Sequence, residues 1–226
     1  MKKIGKYLFP IFFVFIAFSA KGQKNEIGIS LGGMNYTGEL APEYNFSFYR
    51  PGGMLFYRHN FSPAFTLRAS GMIGNIYGND EASDYPLHNA RNAEFHNSIN
   101  EFGLMAEYNF FDYRRYKDRR KFTPYMTGGL AVFNYKRIQP GTAIRGSAVN
   151  ISIPIGFGFK YQLSKTLNLG GEFVARKTFT DHLDGLTDTF DNGRKQLANP
   201  YLNDWYFYTG FSISYTIYTV PCPKFN

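Results

Sequence analysis

Asn203-Asp204-Trp205-Tyr206-Phe207-Tyr208-Thr209-Gly210-Phe211-Ser212-Ile213-Ser214-Tyr215-Thr216-Ile217-Tyr218-Thr219 carries no charge after Asp204. Its side chains change character at every step. One set is Trp205, Phe207, Phe211, Ile213, Tyr215 and Ile217, broken only by Thr209. The other is Tyr206, Tyr208, Gly210, Ser212, Ser214 and Thr216. Period-two alternation is the mark of a strand. A strand of a soluble sheet is usually about half this length. A strand crossing a bilayer at a tilt needs roughly 9–11 residues plus its projecting ends. Small hydroxyls suit a narrow lumen, and aromatics at both ends of the other face suit a lipid belt. The stretch predicts an outer-membrane β-barrel.

The N-terminus agrees. Lys2, Lys3 and Lys6 precede an apolar run from Leu8 to Ala20, and Ala20 and Gly22 place small residues at a cleavage site before Gln23. This is the pattern of a secretory signal over 1–22. The apolar run is short for a spanning helix, and no other run of about 18 apolar residues exists. Any membrane span must therefore be β. The remainder of the 226-residue chain suits one domain, a barrel over 23–220 with a tail at 221–226. Aromatics make up 19% of the chain, as interfacial girdles require.

The formal charge of +8 halves once Lys2, Lys3, Lys6 and Lys21 leave with the signal. The stretch 112–121 accounts for what remains: Arg114, Arg115, Lys117, Arg119, Arg120 and Lys121 against Asp112 and Asp118. The basicity is one local patch on an exported chain, which argues against nucleic acid as a partner. The single cysteine, Cys222, excludes an internal disulfide. In an oxidising compartment an odd cysteine points to an intermolecular disulfide or a free thiol.

Eight strands are predicted, over 26–39, 52–60, 64–77, 94–110, 122–135, 150–162, 167–178 and 203–219. Pro154 lacks an N–H in mid-strand, which predicts a bulge there. The fifth strand is Gly-rich, and its facing is ambiguous. Connectors at 60–63, 112–121 and 163–166 are short or moderate. Those at 40–51, 79–93, 136–149 and 179–203 are long and polar. That asymmetry places the short turns and both termini in the periplasm and the long loops outside. The fold class expected is all-β: an eight-stranded antiparallel up-and-down transmembrane barrel with a closed polar interior.

The inward faces carry Arg68, Glu101, Glu107, Lys160, Glu172 and Arg176, together with Arg58. An eight-stranded barrel is just wide enough to be filled by side chains. Unpaired charges in a dry interior cost several kcal/mol each. These seven are therefore expected to pair in a network that closes the lumen, leaving no conducting pore.

Little else looks like chemistry. His96 and Ser98 share a face near the outer end of the fourth strand, the arrangement of a lipid-deacylating barrel. Such a pair needs a third group to orient the base. Glu94 lies on the same strand, and Lys136 and Arg137 opposite have the wrong sign. Asp181, Asp184, Asp188 and Asp191 lack the alternate spacing of a Ca²⁺ loop. His59, His88 and His182 form no metal spacing. Gly156-Phe157-Gly158 has no strand-to-helix context. No catalytic residue, metal, cofactor or small-molecule substrate is expected.

Several stretches together resemble the PorG family, the small outer-membrane barrel of the type IX protein secretion system. They are Glu26-Ile27-Gly28-Ile29-Ser30-Leu31-Gly32-Gly33 with Tyr36-Thr37-Gly38-Glu39-Leu40, Arg50-Pro51-Gly52-Gly53 with Phe56-Tyr57-Arg58, Phe110-Phe111-Asp112-Tyr113, Phe122-Thr123-Pro124-Tyr125, Ile153-Pro154-Ile155-Gly156-Phe157-Gly158, Arg176-Lys177-Thr178-Phe179-Thr180-Asp181, and Asp204-Trp205-Tyr206-Phe207. The resemblance implies a non-enzymatic component that binds a periplasmic ring of PorK- and PorN-type proteins and ties it to the outer membrane. It implies a Cys-Pro ending at Cys222 that tethers a partner. The basic turn is the expected docking patch, although it is more basic than the family pattern. The alternative is an OmpX-like structural barrel, or a lipid-modifying one acting through His96 and Ser98.

Overall fold

The computed structural model describes residues 24–38, 44, 46–79, 94–113, 121–138, 145–180, 183 and 204–218. The predicted signal, the tail with Cys222 and most of the basic turn lie outside them. The strands are β1 (Lys24–Thr37), β2 (Arg50–Asn60), β3 (Phe65–Asn79), β4 (Glu94–Asn109), β5 (Phe122–Ile138), β6 (Arg145–Gln162), β7 (Leu167–Thr178) and β8 (Trp205–Tyr218). One 3-10 turn, Phe46–Phe48, precedes β2. Each strand pairs antiparallel with the next, and β1 pairs with β8 to close the barrel. Closure removes both sheet edges, so no strand is left with an open ladder.

Tight turns fix the register at one end. Ser62 Oγ accepts from Phe65 N at 2.9 Å, and Ser164 Oγ accepts from Leu167 N at 3.0 Å. Between β4 and β5, Thr123 Oγ1 accepts from Phe111 N at 2.9 Å. From these turns the period-two pattern propagates as the sequence requires. In β8, Tyr206, Tyr208, Gly210, Ser214 and Thr216 are buried, whereas Trp205, Phe211, Ile213, Tyr215 and Ile217 are exposed. Burial resolves the facing of β5: Thr123, Tyr125, Thr127, Ala131, Phe133 and Tyr135 point inward.

The exterior is as apolar as the interior of a soluble protein. Leu31 is 71% exposed, Ile73 65% and Phe211 74%, within a continuous band of apolar side chains. Only hydrocarbon covers such a surface without penalty. Rings gather where the band ends. Phe61, Phe65, Tyr108, Phe110, Phe122 and Tyr161 stand near the tight turns, and Tyr77, Trp205 and Phe207 near the opposite mouth.

Two expectations need correction. No bulge forms at Pro154, because the β6–β7 register runs unbroken through Pro154↔Arg176. The β5–β6 ladder instead lapses opposite Gly129 and Leu130 and resumes in the same register at Ala131↔Ser152. The gap falls where Pro154 has no N–H to give; opposite it, an added Cβ at Gly129 would meet the Leu104 carbonyl and, at 2.7 Å, the Met105 Cα. The missing N–H thus costs a short lapse in pairing with β5 and no extra residue. The stretch 136–149 is also not one long loop. The β5–β6 ladder continues through Lys136↔Ser147 to Ile138↔Arg145. Polarity marks where the belt ends, but a paired hairpin can stand beyond it.

Candidate functional site: the bridged lumen

The inward side chains meet across the barrel. Glu107 of β4 is the hub at the tight-turn end. Its Oε1 receives Arg58 Nε of β2 at 3.0 Å and lies 3.2 Å from Arg68 Nε of β3. Its Oε2 receives Lys160 Nζ of β6 at 2.5 Å. Glu172 of β7 takes Arg68 Nη1 at 2.5 Å and the Tyr125 hydroxyl of β5 at 2.8 Å, both on Oε2. Glu26 of β1 lies 3.6 Å from Arg58 Nη1 and accepts from Asn60 and Ser214. Higher in the barrel, Arg176 Nε of β7 donates to both Glu101 oxygens of β4, at 2.8 and 3.0 Å, and Tyr206 of β8 donates its hydroxyl to the same carboxylate.

Most of these links join strands that are not neighbours: β2 to β4, β4 to β6, β3 to β7, β5 to β7 and β4 to β7. They are struts across the lumen, not rungs along the wall. Arg58, Arg68, Lys160 and Arg176 are matched in number by Glu26, Glu101, Glu107 and Glu172, all with side chains almost out of solvent. Matched, hydrogen-bonded charges meet the condition under which burial is tolerable.

Above the ions the lumen turns apolar. Met34, Tyr36, Met54, Phe56, Met72, Ile76, Ile99, Phe133, Tyr135, Tyr206 and Tyr208 form one buried cluster. Phe48 joins from the loop before β2, and Leu183 joins from the last loop. Leu183 is held by its own backbone: its N donates to Asp204 Oδ2 at 3.2 Å, and its carbonyl accepts from Asn97 Nδ2 at 3.1 Å. The other Asp204 oxygen takes the Tyr36 hydroxyl at 2.6 Å. An ionic layer capped by an aromatic one fills the barrel.

The seven charges read from the sequence are all brought together here. Glu26, Tyr125, Tyr206 and Asp204 complete the network and were missed. Strand parity was available for Glu26, which faces away from Ile27 in β1, but as the first residue of the predicted strand it reads as a polar start. Tyr125 was hidden by the ambiguous β5. Of the residues expected to bind a partner, Arg114, Arg115, Lys117, Arg119, Arg120 and Cys222 lie outside the described residues. Lys121 is exposed just before β5, and its carbonyl accepts from Gln162 N at 2.7 Å. The acidic residues Asp181, Asp184, Asp188 and Asp191 also lie outside. His96 is exposed with its ring 4.5 Å from that of Tyr77, and among the described residues it makes no hydrogen bond to Ser98. No group of three or more His, Cys, Asp or Glu is placed to hold a metal ion among the described residues.

The sequence matches one described protein family over residues 5–225. The chain belongs to DUF6089, a domain of unknown function. No curated protein matches it. Solved barrels do resemble this DUF6089 structure. The crystal structure of Neisserial surface protein A aligns at TM-score 0.55 and 8% identity, over 88% of this chain and 100% of that one. The N-terminal β-barrel domain of Pseudomonas aeruginosa OprF gives 0.45 and 16%, over 87% and 100%. Yersinia pestis Ail, the attachment invasion locus protein, gives 0.48 and 11%, over 86% and 99%. At such identities the likeness to Neisserial surface protein A carries the fold alone: DUF6089 here is an eight-stranded barrel of the outer-membrane type.

Proposed function

We propose that this barrel is a non-enzymatic anchor of the type IX secretion machinery, binding a periplasmic ring of PorK- and PorN-type proteins to the outer membrane. The observation that carries the reading is the bridged lumen. A barrel strutted from wall to wall offers no path for a substrate, so its work falls to its two ends and its outer wall. The stretches that resemble the PorG family supply many of the struts: Arg58, Tyr125, Arg176, Tyr206 and the Tyr36–Asp204 pair. The resemblance thus falls on the residues that close the barrel, and an anchor needs a closed barrel. The tight-turn end, with the basic stretch 112–121 and the tail at Cys222, is the docking end in this reading.

A mild-detergent pull-down of the tagged protein from outer membranes tests it, run on reducing and non-reducing gels. Ring components should co-purify, with a reducible band lost in Cys222→Ser. Replacing Arg114, Arg115, Lys117, Arg119, Arg120 and Lys121 by serine should release the ring and stop secretion, and His96→Ala should change neither. Normal secretion after both the serine replacements and truncation past Val220 refutes the anchor. Loss of a lipid-modifying activity in His96→Ala would favour the enzyme alternative.

A further inference from the structure

One strip of the outer wall carries a notch between rings. The outward side chains of β7 are Leu167, Leu169, Gly171, Phe173, Ala175 and Lys177. Gly171 pairs with Phe159 of β6 and Phe211 of β8, both bulky and outward. Where the glycine interrupts these rings a notch of about 270 Å³ opens, lined by Phe157, Phe159, Gly171, Phe173, Thr209 and Phe211. An added Cβ at Gly171 would meet the Phe159 ring at 2.6 Å, so that ring lies against the glycine as one wall of the notch and any side chain there must push it aside.

The segment before β2 folds down over one flank of the notch. The Tyr44 ring lies 5.2 Å from that of Phe207 and 6.4 Å from that of Phe173. The Tyr49 hydroxyl meets Thr209 Oγ1 at 2.9 Å and also hydrogen-bonds the Tyr44 hydroxyl. This clasp satisfies Thr209, the one polar break in the outward face of β8. Glu172 also borders the notch, but its carboxylate is held in the lumen by Arg68 and Tyr125, so the notch presents rings and a satisfied hydroxyl.

A charge stands above it. Lys177 lies at the upper end of the same outward face, its Nζ 5.8 Å from the Trp205 ring centroid, with no carboxylate partner among the described residues. From Lys177 down to Gly171 is six residues. At about 3.3 Å per residue that is about 20 Å along the strand, or about 14 Å of depth at a tilt near 45°. Half of a hydrocarbon core is about 15 Å. A molecule with its anionic group on Lys177 thus reaches the notch with a chain that ends near the midplane.

We propose that the notch seats one acyl chain of a phosphorylated lipid A-type molecule, with a phosphate of that lipid on Lys177 beside Trp205. The inference rests on the outer-membrane reading, under which the Trp205 end faces the outer leaflet. A notch of this volume has room for a run of several methylenes. Between a lipid tail and a protein wall the attraction is packing against rings, not the hydrophobic effect.

The test is lipid retention. Barrel purified from outer membranes in mild detergent is washed, and its phosphorylated lipids are counted by mass spectrometry. Wild type should keep one lipid A-type molecule per barrel. Gly171→Leu, which pushes the Phe159 ring out of place and disrupts the notch, and Lys177→Gln, which leaves the wall untouched, should each retain about tenfold less. Heat-modifiable gel migration establishes that both variants are folded, and Lys177→Gln alone decides the matter if Gly171→Leu is not. Equal retention by wild type and Lys177→Gln, retention of glycerophospholipid only, or capture of another protein at this wall would each overturn the proposal. Ring recovery in the pull-down is a separate readout: its loss with lipid retention intact sinks the anchor alone, and unchanged ring recovery with no retained lipid sinks the lipid seat alone.

Discussion

Arg176 of β7 lies with its Nε 2.8 Å from Glu101 Oε2 of β4, across the width of the barrel, with neither side chain open to solvent. A buried pair of this kind contributes little net stability against an apolar replacement of similar size. Breaking it is another matter. Glu101→Leu strands a guanidinium in the lumen and should cost about 3–5 kcal/mol. The double variant Glu101→Leu with Arg176→Met should recover most of that loss. Urea midpoints of the heat-modifiable folded band in detergent would measure both. A double variant as unstable as the single one would show that the pair's role is not mutual neutralisation.

The same struts forbid steady conduction. Purified protein in a planar bilayer should pass no stepwise current at moderate voltage. Glu107 alone gathers Arg58, Arg68 and Lys160. Replacing it with alanine leaves those cations mutually repelling, and they should move toward either mouth. Glu107→Ala, if folded, should therefore show brief anion-favouring openings that the parent protein lacks. Steady unitary conductance in the parent would refute the closed lumen.

The two kinds of wall glycine should behave differently. At Gly129 an added Cβ meets the backbone of Leu104 and Met105, which cannot step aside, whereas at Gly71 it meets nothing within 4 Å. Gly129→Ala should force β5 off β4 next to the gap opposite Pro154 and destabilise by about 1–3 kcal/mol. Gly71→Ala should stay within about 0.5 kcal/mol of wild type. Equal effects at the two positions would show that the β4 backbone beside Gly129 can step aside.

The sequence discloses the barrel wall and hides much of what fills it, for a physical reason. Facing is a matter of parity, so one clean strand such as β8 calibrates the rest, and Arg68 or Glu172 can be assigned inward without any structure. The upper plug cannot be read this way. Phe48 and Leu183 belong to loops, where no period exists, and Phe133 and Tyr135 look as lipid-compatible as Phe102 does. Strand ends fail for a related reason. Hydropathy reports where lipid stops, and the β5–β6 ladder continues to Ile138 and Arg145 because backbone pairing has no need of lipid. The seat at Gly171 was invisible too. A glycine among phenylalanines becomes a notch only when register sets Phe159 and Phe211 on either side.

Trp205 is the only tryptophan in the chain, which makes it a depth gauge. It ends the outward face of β8, with Lys177 above its ring, at the height where the belt gives way to polar loops. An indole there keeps its apolar ring in the chains and its N–H among headgroups. In vesicles its fluorescence should be quenched strongly by lipids brominated near the headgroup and weakly by lipids brominated near the chain end. Lys177→Gln should lengthen the emission lifetime slightly without changing that ranking. Stronger quenching from the chain end would place Trp205 near the midplane. The 14 Å depth assigned to Gly171 and the position of the whole belt would then be wrong together.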